Sequence, residues 1–267
     1  MKTSALSKET LNLRKLGYEP QLDDLFAYQN RDKSKVIDLK MLCKQISLSK
    51  NIYFNDMVYV ALPVAKAKRS LVVYKNKIRY VERGTAFFRD RFLDHHLRME
   101  WDAYRLTMRA FLGETIKKIP LACENYSLVP FTLSDSIANS LWINPNCIES
   151  FSQESPSELP IVGLKNGFKF YLDRKKKAVL DSMERSFLAH GILKRSLTKE
   201  LVSPELNLLE YLDLEPFDIV RDAIGNKNFQ HLPFYEKNFH RIYQLNHDQL
   251  ITQKTQERIY KALNIEA

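Results

Sequence analysis

The chain has 267 residues, 45% hydrophobic and 27% charged, with a formal net charge of +9. This is the balance of a folded, water-exposed protein large enough for one core or two, and its longest apolar run, "MVYVALPVA" at 57–65, falls far short of the roughly 20 residues a membrane span needs. Cys43, Cys123 and Cys147 show no C-x-x-C spacing, and the N-terminal "MKTSALSKETLNLRK" has no apolar core of signal-peptide type; both point to reduced thiols in a cytoplasmic protein and away from a disulfide framework or structural zinc.

Residues 1–50 read as short helices and loops. "SKETLNLRKLG" offers Ser7 as a cap and Gly17 as a stop, and "KVIDLKMLCKQI" has apolar residues at helical spacing. From residue 51 the pattern turns to β. "IYFNDMVYVAL" is rich in strand formers, and "LVVYKNKIRYVE" reads as two strands about a turn at Lys75, Asn76 and Lys77. Leu93, Leu97, Trp101, Tyr104, Met108 and Phe111 step by three and four, which predicts a helix over 93–112. "YSLVPFTL" and "SLWINPNCIESF" are short apolar runs broken by proline and by the turn "NPN", so strands follow, and "SQESPSELP" is a loop. In "IVGLKNGFKFYL", Asn166 and Gly167 sit between two β-rich runs and supply the positive φ angles of a tight hairpin.

Val179, Leu180, Met183, Phe187, Leu188 and Ile192 then form one face of a helix that starts at Arg174, Lys175, Lys176 and Lys177. Ser203 and Pro204 signal the start of a further helix, "PELNLLEYLDL". Tyr235, Phe239 and Tyr243 recur every four residues, and Asn246 with Gln249 marks a last helix reaching about Leu263. The expected fold class is α+β: a β-rich core with hairpins, flanking basic helices and a helical C-terminal extension. Its expected parts are 1–50, 51–200 and 201–267.

Charge is segregated along this order. Residues 66–118 carry +8 and 165–199 carry +7, whereas 119–164 carry −5 and 200–267 carry −4. Such blocks speak of partners rather than of fold, and a polyanion is the first to consider; solvated faces that keep the chain soluble are the plain alternative. Motifs of catalysis are missing. The seven glycines form neither G-x-x-x-x-G-K-[ST] nor G-x-G-x-x-G, and there is no G-x-S-x-G or H-E-x-x-H. The adjacent His95 and His96 point about 100° apart on a helix and make poor joint ligands, so no metal or other cofactor is expected. Asp90, Asp94, Glu100 and Asp102 are the carboxylates a metal-dependent nuclease would use, yet they interleave with Arg89, Arg91, Arg98 and Arg105 as on a salt-bridged helix face.

Binding finds more support. The first block alternates arginines with Phe87, Phe88, Phe92, Trp101 and Tyr104. Arginine suits phosphate through its bidentate fork, and a narrow minor groove through its charge and weak hydration; Phe87 and Phe88 read as packing residues that fix the segment. The second block puts Lys165 and Lys169 on the hairpin and four cations at a helix start, where the dipole disfavours them and a bound anion would favour them. The candidate DNA-binding residues are Arg83, Arg89, Arg91, Arg98, Arg105, Arg109, Lys118, Lys165, Lys169, Arg174, Lys175, Lys176, Lys177 and Arg185.

Over roughly residues 52–192 the order of motifs resembles the competence transcription factor family, the ComK-like activators of DNA uptake in Gram-positive bacteria. The pieces are "RYVERGTAFF", a basic segment ending "YRLTMRAFLGETIKKIPL", then "LVPFTLS", "LWIN", the "KNG" hairpin, and a helix containing "MERSF" where the family carries an Arg-Thr pair. The family pattern aligns at Phe88, Arg105, Lys118, Pro120, Pro130, Trp142, Asn166, Gly167 and Arg185. The resemblance implies a non-enzymatic transcriptional activator of competence genes. Such a protein binds AT-rich promoter DNA mainly through the minor groove, as a homo-oligomer, with RNA polymerase and a proteolytic adaptor as further partners. Two features depart from the pattern. The segment after Phe88 is longer and lacks the family's glycines, and the C-terminal segment that such an adaptor uses is not visible in 205–267. Two other readings stay open: a metal-dependent nuclease built on the carboxylates above, and a protein-interaction module whose acidic helical tail docks on a partner or masks the basic surface.

Overall fold

The computed structural model describes residue 43 and residues 46–64, 68–132, 140–153, 159–198, 202–233 and 238–262. The helices expected over 7–17 and 35–46 fall outside these apart from Cys43 and Ile46, as do Tyr235 and the middle of the 152–160 loop. Strands β1 (Leu48–Ser49), β2 (Val58–Val64), β3 (Arg69–Tyr74) and β4 (Ile78–Val81) come first, followed by helices α1 (Thr85–Leu97) and α2 (Trp101–Leu112). Next are β5 (Leu121–Ala122), β6 (Ser127–Thr132), β7 (Ser140–Ile143), β8 (Ile148–Ser152), β9 (Ile161–Leu164) and β10 (Lys169–Tyr171). Helices α3 (Lys176–Leu197), α4 (Leu208–Tyr211), α5 (Asp218–Ile224) and α6 (Phe239–Ala262) complete the order. The mixture of helices and sheets is the α+β class expected.

Among the described residues seven strands make one sheet in the order β1-β4-β3-β2-β7-β6-β5, and three make a second in the order β10-β9-β8. All pairs are antiparallel except β1 with β4. Branched and aromatic residues fill the central strands because both faces of the large sheet are covered. On β3, Leu71 and Val73 enter one core while Val72 and Tyr74 enter the other. The first core lies between the two sheets and is closed by Val179, Met183 and Phe187 of α3 and by Leu208, Ile219 and Val220. In the second, Trp142 and Tyr74 lie under Phe88, Phe92, Tyr104 and Met108 of α1 and α2. Ala189, Ile192 and Leu193 of α3 and Phe239 of α6 also enter it, so the chain after residue 201 contributes to both cores.

Four local expectations change. The single helix expected over 93–112 is two helices, and "GTAFFRDRF" belongs to the first. Arg98 turns into the left-handed region (φ 56°) and stops α1, its N–H bonded to Asp94 O at 3.3 Å. The apolar spacing runs unbroken across this corner because both helices bury the same side. The hairpin loop is Lys165, Asn166 and Gly167, and only Gly167 has positive φ (83°). Its N–H meets Leu164 O at 2.8 Å while Leu164 N–H meets Phe168 O at 2.9 Å, the geometry of a three-residue loop with a glycine bulge.

The helix expected in "PELNLLEYLDL" shrinks to the single turn of α4. Ser203 and Pro204 form a turn ahead of it, Asn207 caps it by accepting the Leu209 N–H at 2.8 Å, and Asp213 (φ 52°) follows it. The last helix starts at Phe239 rather than Asn246, with Asn238 accepting the His240 N–H at 2.9 Å. Asn246 instead donates its side-chain amide to Thr107 Oγ1 at 3.0 Å.

Candidate nucleic-acid interface

The two basic blocks meet where α2 leads into β5 and α3 begins. Tyr104, fully buried, donates its hydroxyl to Pro120 O at 2.9 Å and accepts the Ala122 N–H at 3.0 Å, which pins the chain entering β5. Arg109 closes the turn before it, donating Nε to Ile116 O at 2.9 Å. Lys117 and Lys118 are left exposed between these two fastenings. On the other side, α3 is fixed against the β5–β6 turn by buried polar contacts. Ser186 donates to Ser127 Oγ at 3.0 Å, and His190 Nε2 lies 2.8 Å from Glu124 O.

The result is a knot of cations from distant parts of the chain. Although the residue as a whole is exposed, partial burial of its ammonium group lowers the proton affinity of Lys118, and Arg174 and Arg185 lower it further. Repulsion of this kind marks a place where an anion is welcome. The first turn of α3 contains no acidic residue, and the side chain of its cap, Lys175, makes no capping hydrogen bond. The exposed Lys175 and Lys177 thus sit at the positive end of a helix dipole, where each cation is opposed by about 0.3–1 kcal/mol. Arg185 keeps its Nε on Asp181 O at 2.9 Å, and Arg174 gives Nη1 to Asp173 O at 2.5 Å.

Other cations of the second block are already engaged. Lys176 pairs with Asp222 at 2.8 Å, and Lys165 with Glu215 at 3.4 Å while lying over the Tyr59 ring. The acidic segment after residue 201 therefore trims this edge of the basic surface from within the fold. Lys169 lies on β10 two residues from Tyr171, which is 56% exposed.

The arginines of the first block occupy a different place, the corner between α1 and α2. Arg89 is largely buried there, paired with Asp90 at 2.6 Å and stacked over Trp101 at 4.5 Å. Arg91 and Arg98 both reach Asp94, at 2.9 and 3.7 Å, and Arg105 reaches Asp102 at 3.7 Å. Arg83 lies over the Phe87 ring at 5.9 Å. The corner cleft, about 410 Å³, is lined by Asp90, Asp94, Glu100 and Asp102 against only Arg89 and Arg98, so it is acidic on balance. Arg89 and Arg109 are taken up by the fold itself. Among the described residues no three His, Cys, Asp or Glu side chains converge to hold a metal ion.

No family model, curated protein or solved structure matches the chain. The site therefore stands on its own geometry. Among the described residues no helix is long and apolar enough to cross a membrane. His95 and His96 pack edge to face at 4.8 Å, and burial, then His95, lowers the pKa of His96 to about 4.

Sequence reading missed two features of this surface. Lys117 escaped because its neighbour carried the motif. Lys254, Arg258 and Lys261 of α6 escaped because the tail was read by its net charge: residues 202–233 carry −4, but 239–262 carry +2. Their i, i+4, i+7 spacing was visible all along.

Proposed function

We propose that the protein binds duplex DNA as a non-enzymatic transcriptional activator, with the cluster of Lys118, Arg174 and Arg185 at the head of α3 as its centre. One observation carries this reading: Arg174 and Arg185, more than fifty positions from Lys118 in sequence, lie close enough to add to the lowering of its proton affinity that burial causes. Lys175 and Lys177 extend the cluster over the helix start, which matches the way helix starts contact phosphate. Lys169 and Tyr171 offer a further contact on the exposed side of β10. The α1–α2 corner is a weaker candidate, because its arginines face carboxylates and its cleft is acidic.

The finer reading rests on the resemblance to competence activators: AT-rich promoter DNA, entry through the minor groove, and action as a cytoplasmic homo-oligomer with RNA polymerase. Arg185, Lys118, Asn166 and Gly167 are among the residues that carry that resemblance; the first two belong to the cluster, and the last two lie in the loop of the β9–β10 hairpin, where Asn166 donates to Tyr74 O. The test is fluorescence anisotropy with two duplexes, one with phased A/T tracts and one GC-rich, at two salt concentrations. Tighter binding to the A/T duplex that persists at higher salt is expected. Equal affinity for both, falling about 0.9 log units per log unit of salt for each phosphate contact, would reduce the protein to a non-specific polyanion binder. Absence of binding to either would end the DNA reading.

A further inference from the structure

Helix α6 divides into two halves with different surroundings. Its first half is a buttress on α2: Phe239 is fully buried against Tyr104 and Phe111, Tyr243 accepts the Glu100 N–H at 2.9 Å, and Asn246 bonds Thr107. Phe239 packs between Tyr104 and Phe111, whereas Tyr243 and His247 reach Glu100 at the N-terminal end of α2, where the rest of the helix leaves the body. Beyond His247 the helix continues to Ala262, and residues 251–259 are exposed on every side. At 1.5 Å per residue this second half is an arm of roughly 20 Å. Its sequence, "DQLITQKTQERIYKA", is polar enough that burial does not account for it; isolated helices of this length are marginal in water.

Lys254, Arg258 and Lys261 fall at i, i+4 and i+7, so they line one face of the arm. Among the described residues none of the three takes part in an ion pair. Asp248 points about 120° away from the middle of the stripe, and Glu257 is the one acid on its flank.

We infer that this arm is a second contact with DNA, its Lys254–Arg258–Lys261 face lying along the phosphate backbone of the same duplex that the α3 cluster holds. The inference rests on the DNA reading above and goes beyond it in assigning a partner to α6. Charge complementarity selects the occupant, because three cations that form no ion pair among the described residues, spaced along one helix face, match a line of phosphates. Geometry sets the span. The α3 cluster lies past the C-terminal end of α2 and the arm leaves from its N-terminal end. The 12 residues of α2 span about 18 Å, and the stretch from His247 to the stripe adds at most about 16 Å. At full extension the two contacts lie about one turn of B-DNA, 34–36 Å, apart, which lets one duplex serve both.

The test replaces the stripe with K254Q/R258Q/K261Q, three exposed positions where glutamine keeps helix propensity. Affinity is measured across a salt series on A/T duplexes of about 10 and about 30 base pairs, with helicity checked by circular dichroism. On the long duplex the variant is expected to lose about 2.7 from the log–log salt slope, so that between about 50 and 200 mM salt the wild type weakens about 40-fold more than the variant. On the short duplex the two proteins should bind alike. Equal slopes on the long duplex, with the wild type binding both duplexes, would overturn the arm contact while leaving the DNA reading intact. A wild type that binds neither duplex would remove both. Arm-dependent binding to anionic phospholipid vesicles, with no arm dependence on the long duplex, would overturn the inference in favour of a membrane surface.

Discussion

Protonation of His190 should destabilise the fold where α3 is fixed, because the charge would be buried there. The imidazole is 2% exposed, and its Nε2 donates to Glu124 O at 2.8 Å. Burial lowers its pKa to about 4; the hydrogen bond to Glu124 opposes the shift and Lys194 adds to it. In the unfolded chain the ordinary value is about 6.5, so between the two values the unfolded state binds the extra proton. Stability is therefore fully present above about 6.5, falls as pH drops through the window to about 4, and flattens below it. A gap of this size, at about 1.4 kcal/mol per pH unit, amounts to roughly 3 kcal/mol. The comparison is urea unfolding of the wild type and H190Q across that window, since glutamine keeps an amide donor without a titration. The wild type should lose roughly 3 kcal/mol more than the variant on acidification; the slope left in the variant belongs to His96, whose pKa is likewise lowered to about 4. Parallel curves for the two proteins would refute the assignment.

Three further outcomes follow from the packing. Gly167→Ala places a side chain at φ 83° and should cost about 1–2 kcal/mol, read as a lowered thermal midpoint; an unchanged midpoint would mean the loop relaxes freely. Phe239→Ala empties a fully buried site between Tyr104 and Phe111 and should cost about 3–5 kcal/mol, measured by chemical denaturation; a loss below about 1 kcal/mol would show that α6 is not rooted there. R91Q/R98Q removes two exposed arginines already paired with Asp94 and should leave DNA affinity within about twofold in a titration at moderate salt, since such surface pairs contribute little. A tenfold loss would move the interface to the α1–α2 corner.

The sheets were legible because their signals are local. The Lys75–Lys77 turn and the Asn-Gly loop each fix a hairpin within a dozen residues and appear where expected, and the β-rich run 52–62 yields a strand at its later part, Val58–Val64. The helix boundaries were less so. Arg98 breaks α1 from α2 through a backbone conformation that its side chain does not advertise, and Asn238 caps α6 eight residues before the pair that looked like a start. The candidate site was half visible. Basic residues can be counted from the sequence, but which of them face carboxylates depends on tertiary placement: Arg89 ends up between Asp90 and Trp101, while Lys118 ends up beside Arg174 and Arg185. Charge averaged over the tail likewise hid a negative α4–α5 segment followed by a positive helix.

The most direct test of the central claim is the salt dependence of binding by K118Q/R174Q/R185Q on a phased A/T duplex, beside the wild type. If the cluster is the phosphate-gripping centre, the log–log slope should shrink by about 2.7 and affinity should fall, with the urea unfolding curve unchanged. A variant that keeps the wild-type slope and affinity would contradict the claim.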